Sequence, residues 1–357
     1  MKKTMTLASL ILFVVSINAQ FTLENDQALE WYIENVLLGG GVTVDNATFN
    51  NVSDSILNEQ FGTFDASAVS NFPLTNGIIM STGDIADCQG PNDSSGQGSF
   101  IDGGINSEPD LESLLPGLGV YDAAILEFDF IPQNNLMLFD FVFASEEYPE
   151  FAGSSFNDVF GFFVYGPGIS GNFSNNAMNV AMVPMTTDVV SINNVNTTTN
   201  SNYYIDNTTA PAGDPTYTQF DGYTVSMPVS FTVVPNSVYH IKMAVADAAD
   251  AIFDSAVFIK AFSFKSISQT STVEEINSED LTLSPIPVQD VLNIQSDDIT
   301  LFVDAISIYS LTGKQVYYKE LMGVDNLKVD VSDLENGIYL IEITTDRGII
   351  TKKMIKE

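Results

Sequence analysis

LMLFDFVFASEEYPEFAGSSFNDVFGFFVY, residues 136–165, is the stretch whose reading decides the fold. Met137, Phe139, Phe141 and Phe143 fall on one face at period two, and Leu136, Leu138 and Val142 on the other, with Asp140 the one interruption. A strand apolar on both faces belongs between two layers, in the middle of a core. Glu146, Glu147 and Glu150 follow Ser145 at once, and Pro149 and Gly153 mark a loop. Asp158 stands just before a second apolar run, 159–165. An acidic loop is thus held between two buried strands, the place where a rigid scaffold carries function. Most acidic loops are simply solvated charge. That reading is weaker here, because no Lys or Arg occurs between Thr4 and His240. Carboxylates of this region are expected to be solvated, bonded to backbone N–H groups, or bound to a metal ion.

A second acidic loop, ADAADAIFDS at 246–255, lies between the strands expected at 238–245 and 256–264. If both loops share one end of a sandwich, Glu146, Glu147, Asp158, Asp247, Asp250 and Asp254 converge, and a bound Ca2+ would relieve their repulsion. The alternative is that Asp158 and Asp254 cap turns through backbone hydrogen bonds. A third loop, 82–104, carries Asp84, Asp87, Asp93 and Asp102. Its spacing matches a calcium loop only loosely, and it lacks a closing Glu.

The inventory narrows the chemistry. One cysteine, Cys88, allows no intrachain disulfide, and such a residue is most often a small buried hydrophobe. With one Cys and one His, His240, zinc and blue-copper sites lack ligands, whereas oxygen-ligated calcium does not. Formal net charge is −34, which repels phosphate backbones and anionic membranes and favours cations, basic partners or neutral glycans. Hydrophobic content of 45% over 357 residues is enough to bury a core.

Taken in order, residues 1–19 read as a secretory leader: Lys2 and Lys3, an apolar stretch too short to span a membrane, and a cleavage point before Gln20. A helix is expected over 26–38, capped by Asp26, with Leu29, Ile33, Val36 and Leu37 on one face and Trp31 packed into the core. Strands then dominate: 42–49, 77–81, and 124–131 paired with 136–144 across Pro132 to Asn135. Segments 177–183 and 189–195 form another expected pair, and 229–234 with 238–245 a hairpin across Pro235 and Asn236. Alternation of Tyr239, Ile241, Met243 and Val245 puts His240 and Lys242 on the opposite face, where a lone His is more often structural than catalytic. Residues 266–280 are polar and acidic, a linker. Beyond it, short strands at 291–294, 305–309, 315–319, 327–331, 337–344 and 348–355, with turns at 311–314 and 335–337, imply a small antiparallel sandwich. The fold class is all-β: a large β-sandwich or jelly-roll-like domain at 20–265 with one N-terminal helix, then a small Ig-like sandwich at 281–357.

FDFVFASEEYPEF followed by NDVFGFFVYG resembles the choice-of-anchor L domain, a β-rich module of bacterial surface and secreted proteins. NVLLGGGVTV, GIIMSTGDI, SINNVN and ADAADAIFDSAVF fit in the same order, so the resemblance covers about residues 25–264. It implies an architecture and a location and no assigned activity. SPIPVQDVLNI, ISIYSLTGKQV, VDVSDLENGIYLIEI and ITKKMIK resemble the type A C-terminal sorting domain of the type IX secretion system of Bacteroidetes, departing at Pro285-Ile286-Pro287 and at the final Glu357. The second resemblance implies recognition by that machinery and a released or surface-attached product.

Three functions are compatible with these readings. The first is a secreted or surface-displayed, calcium-stabilised binding module that contacts a glycan or a surface protein in adhesion. The second is a glycoside hydrolase using Glu146 with Glu147, Asp158 or Asp250, whose carboxyl groups would have to stand about 5 Å or 6.5–9.5 Å apart across a cleft. The third is a structural component of an extracellular matrix.

Overall fold

In the strand Leu136–Ser145, Met137, Phe139, Phe141 and Phe143 are buried, as their alternation predicts. The computed structural model describes residues 21–53, 59–69, 71–210, 212–268, 281–296, 303–310, 314–324, 326–345 and 348–357. The leader at 1–19, the cleavage point before Gln20, most of the linker 266–280 and most of the turn 311–314 lie outside the described residues. The described residues group into two compact units: one of 21–131, 138–231 and 237–265, the other of 132–137, 232–236 and 266–357.

The strands of the N-terminal part, in chain order, are β1 (Thr22–Glu24), β2 (Val42–Phe49), β3 (Phe61–Asp65), β4 (Asn76–Ser81), β5 (Val120–Pro132), β6 (Leu136–Ser145), β7 (Val159–Tyr165) and β8 (Met178–Asn179). They continue with β9 (Val190–Ser191), β10 (Tyr204–Asp206), β11 (Gly222–Thr224), β12 (Met227–Thr232), β13 (Tyr239–Ala248), β14 (Ser255–Lys260) and β15 (Lys265–Ile267). One sheet runs β1-β3-β4-β14-β6-β11-β10, with β12 and β15 also on β6, and the other runs β2-β5-β13-β7-β8, with β9 on β7. The sheets face each other through aromatic rings. Phe139 stacks on Phe162 at 4.2 Å, Phe141 meets Phe160 at 5.1 Å, and Phe264 packs edge-on to Phe128 at 5.3 Å. These contacts bury the side chains that supply most of the stabilisation of such a core.

Both outer faces are also covered near the acidic loops. Val142 and Ala144, on the far side of β6, lie under Phe64, Phe72, Ile85, Cys88 and Phe220. Val159, Phe163, Ala244 and Ala246, on the far side of the second sheet, lie under Leu111 and Leu115. The short helix α2 (Pro109–Leu114) carries the first of these. β6 is therefore two-sided where it enters the acidic loop, whereas Leu136, Leu138 and Asp140 are only half-buried.

Two hairpins expected from the sequence are absent. β5 and β6 belong to different sheets, as do β12 and β13, so both short connections carry the chain across the sandwich. Four apolar-faced strands with short prolyl loops satisfy either arrangement locally, and the packing of two sheets selects the crossing. The segments 177–183 and 189–195 contribute β8 and β9, each paired with β7, and touch each other at the single bridge Met182–Val189. The N-terminal helix is shorter than expected: α1 (Leu29–Tyr32) continues as a π-turn at Ile33–Leu37, and Ala28, not Asp26, precedes it without a side-chain cap. Trp31 is exposed and Tyr32 is the buried aromatic.

The C-terminal strands are β16 (Leu281–Ser284), β17 (Val291–Ser296), β18 (Val303–Ser310), β19 (Gln315–Val324), β20 (Asn326–Asp330), β21 (Gly337–Thr345) and β22 (Gly348–Lys356). They form antiparallel sheets β16-β17-β20 and β19-β18-β21-β22 around Leu292, Ile294, Ile306, Ile308, Val329, Ile341, Ile343 and Met354. All six expected strands of this domain are present, and β16 adds a seventh.

Candidate functional site

The two acidic loops do meet. Ser145 at the end of β6 is paired with Ser255 at the start of β14, and Val159 at the start of β7 with Ala246 near the end of β13. Four strand ends, and the two loops between them, therefore occupy one end of the sandwich. The backbone N–H of Glu146 donates to the Asp254 carbonyl at 3.0 Å, joining the loops directly.

Glu146, Glu147, Asp158, Asp247 and Asp254 are buried, and Asp250 is half-buried. Asp158 accepts from the Ala248 N–H at 2.9 Å and from the Ser255 hydroxyl at 2.6 Å. Asp254 accepts from the N–H and the hydroxyl of Ser99, each at 3.0 Å through Oδ2. Glu146 Oε2 accepts from the Gln97 N–H at 3.2 Å. The loop 82–104 thus folds over the acids: its backbone supplies donors, and Asp84 caps its turn through the Ala86 N–H. Gly83 is required there, since a Cβ would lie 1.9 Å from Asp254 Oδ2. A register shift in β13 between Val245 and Asp247 marks where that strand bends into the site. Ala249 follows at φ +77°, a conformation non-glycine residues seldom adopt.

This arrangement is expensive to ionise. Burial, with the nearby Asp221 and Asp254 carboxylates, pushes Glu146 up to about 9. Burial, with Asp158 and Asp250, pushes Glu147 up to about 8. Burial raises Asp158 and Asp254 to about 7, although their hydrogen bonds oppose it. Burial and the neighbouring Asp158 push Asp247 well above the usual carboxylate range. Three oxygens, Glu146 Oε1, Glu147 Oε2 and Asp247 Oδ1, are buried without a hydrogen-bond partner. Among the described residues no three His, Cys, Asp or Glu side chains are grouped so as to hold a metal ion.

Sequence reasoning missed two further acids. Asp221, raised to about 6 chiefly by burial, is held by Asn92 at 2.7 Å beside Glu146. Asp122, buried at φ +44°, is raised by burial and lies near Asp247. Neither carries a local signal, since Asp221 is a single Asp just before β11 and Asp122 a single Asp near the start of β5. Cys88 is the expected buried thiol, pushed well up by burial, and packs in the outer apolar cluster. His240, read as structural, lies between Asp129 (2.8 Å) and Glu127 (3.3 Å) and stacks on Tyr165. The expectation that acids of this region lack a cation also fails at two places: Lys242 pairs with Glu108 and Asp110, and Lys260 Nζ stands 4.0 Å from Asp140 Oδ2.

An all-β two-unit chain with a closed acidic loop end defines a class rather than an activity. Residues 19–265 match the Choice-of-anchor L domain, and the chain belongs to that family. Residues 282–357 match the Secretion system C-terminal sorting domain, so this is a secreted or cell-surface protein that engages type IX secretion machinery. No helix among the described residues is long and apolar enough to cross a membrane. β-Agarase D of Zobellia galactanivorans is 36% identical over 105 residues, covering 27% of this chain and 20% of that protein. The chain thus spans about a fifth of that relative's length. Among solved structures, a β-1,2-glucanase from Parabacteroides distasonis is 8% identical over 67% of this chain and 32% of its own, with TM-score 0.23. A β-glucuronidase from Ruminococcus gnavus is 10% identical over 66% and 35%, with TM-score 0.17. Likenesses this distant carry no argument.

Proposed function

We propose that this chain is a non-enzymatic binding module that acts in adhesion by contacting a glycan or a surface protein. The observation that carries this reading is an exposed apolar rim standing on the buried acids. Phe100 is 81% exposed and Ile252 58% exposed. They lie on adjoining segments, since the Asp254 N–H donates to the Gln97 carbonyl and Ser99 donates to the Asp254 carboxylate. Phe253 extends the rim toward Phe151 at 5.6 Å. Isolated exposed apolar residues are ordinary, whereas several on loops fixed from below form a contact surface. The hydrolase reading loses support, because Glu146, Glu147 and Asp158 are buried rather than set across an open cleft. Binding of the purified protein to a panel of polysaccharides and to bacterial cell-surface protein extracts tests the proposal. A Phe100→Ala, Ile252→Ser variant should lose at least about tenfold in affinity, or ~1.4 kcal/mol, with its melting temperature kept. Equal binding by that variant would remove the rim from the proposal.

Calcium at Glu146, Glu147, Asp158, Asp247, Asp250 and Asp254 is a second reading. The three buried oxygens without partners favour it, because Ca2+ or a proton would satisfy them. Thermal unfolding in EDTA and in a calcium series, with magnesium as control, decides between them. A calcium-specific rise, about 2.7 kcal/mol near 100 Kd, would establish the ion. Identical curves would leave protons as the occupants.

A further inference from the structure

Lys242, Glu108 and Asp110 form a second buried group, distinct from the acidic loop carboxylates. Lys242 leaves the outer face of β13, Glu108 caps α2 and Asp110 is the second residue of that helix. Lys242 Nζ contacts Glu108 Oε1 and stands 2.5 Å from Asp110 Oδ2. The three side chains are 13%, 7% and 5% exposed, and Nζ lies 5.2 Å from the centre of the Phe163 ring. Asp110 Oδ1, turned away from the lysine, accepts from the Ser174 N–H at 2.8 Å and from the Ser174 hydroxyl at 2.9 Å. Glu108 Oε2 accepts from the Leu111 N–H at 2.7 Å.

Nucleophile, carbonyl, oxyanion donors and proton carrier are thus assembled where all three side chains are largely buried. We propose that Lys242 and Asp110 condense to an intramolecular amide, with Glu108 moving the protons. A proton passes from the Lys242 ammonium through Glu108 to Asp110, giving a neutral amine and a neutral carboxyl group. The Nζ lone pair attacks Asp110 Cγ, and negative charge gathers on Oδ1, where the two Ser174 donors wait. Glu108 takes a second proton from Nζ and delivers it to Oδ2, which leaves as water. One C–N bond forms, one C–O bond breaks, one water is released, and no oxidant is needed. The two carboxylates have different parts. Asp110 has two donors on its far oxygen, as an acyl acceptor requires. Glu108 has one N–H on its far oxygen and its near oxygen on Nζ, as a proton carrier requires.

Burial acts against both charges of the ion pair. Hydrogen bonds outweigh it, leaving Asp110 below and Lys242 above their ordinary values. Attack therefore proceeds from the minor neutral form, and condensation removes the charges of Lys242 and Asp110 while Glu108 keeps its own. The product would fasten α2 to β13 covalently in a secreted chain whose single cysteine cannot make an internal disulfide.

The intact mass of the denatured full-length protein, followed by peptide mapping, reads this directly. The expected mass is lower than that of the unlinked chain by one water, with a branched peptide joining the segments around Asp110 and Lys242. Trypsin gives an independent readout, because Lys242 is the first basic residue after Lys3 and a linked lysine is not cut. Lys242→Arg keeps a cation against both carboxylates and should show full mass. Glu108→Gln keeps the helix cap and should also show full mass, with trypsin cutting after Lys242. A wild-type protein of full mass, cut at Lys242, would overturn the proposal. So would a water loss mapped elsewhere, such as to an aspartyl succinimide. A Glu108→Gln variant that still carried the link would overturn the proton-carrying role of Glu108.

Discussion

At the loop end, Glu146, Glu147, Asp158, Asp247 and Asp254 are buried, and none of them makes an ion pair among the described residues. On the outer face of β13, Glu108 and Asp110 are equally buried but share Lys242. The consequence is opposite in sign. Glu146 and Glu147 are pushed up to about 9 and about 8, whereas Asp110 is held below its usual value. Burial is the largest single influence on all three and always raises them, so the difference lies in what stands opposite. A buried carboxyl group facing other acids retains a proton even against its N–H donors; one facing an ammonium gives it up.

The largest test of this contrast removes the cation. Lys242→Met leaves two buried carboxylates unpaired and should cost about 3–5 kcal/mol in denaturant unfolding. A loss under about 1 kcal/mol would show that water reaches the site.

A pH series tests the other side. Glu146 and Glu147 start from 4.5, and Asp158 and Asp254 from 3.8, and all four rise on folding. The folded state therefore binds more protons than the unfolded state. Stability is fully present below about pH 4 and declines as pH rises toward 9. His240, raised by its two carboxylates against burial, adds in the same direction. The melting temperature should fall steadily between pH 5 and 9, and Glu146→Gln, neutral at every pH, should flatten the upper part of that decline. A melting temperature rising over this range would mean that the carboxylates are ionised and satisfied, as by a bound cation.

The smallest effect is expected at the partly exposed pair. His240 and its partners Glu127 and Asp129 are about a quarter exposed, and His240→Gln should cost no more than about 1 kcal/mol at pH 6.

The local pattern of residues 136–165 was sufficient to place two buried strands around an acidic turn. The convergence of the loops stayed conditional in the sequence, because it depends on the pairing of β6 with β14 and of β7 with β13. The pairing partners were not legible. β5 and β6 look like a hairpin because alternation records which faces are apolar and not which sheet a strand joins. Lys242 was visible as the first basic residue after Lys3, but its partners Glu108 and Asp110 come from a distant helix. β16 escaped because Leu281 and Leu283 follow an acidic segment and give only two alternating positions.

The pairing of β4 with β14 has a kinetic consequence. Gly77 to Ser81 find their neighbours at Ala256 to Lys260, and β6 takes the same strand on its other edge. β14 is thus the keystone between two pieces of sheet made much earlier in the chain. Until it emerges, β4 and β6 present unpaired edges, and closure must wait for contacts of long sequence separation. Such topologies fold in milliseconds to seconds rather than microseconds. The sheet cannot close across β4 and β6 until β14 arrives between them.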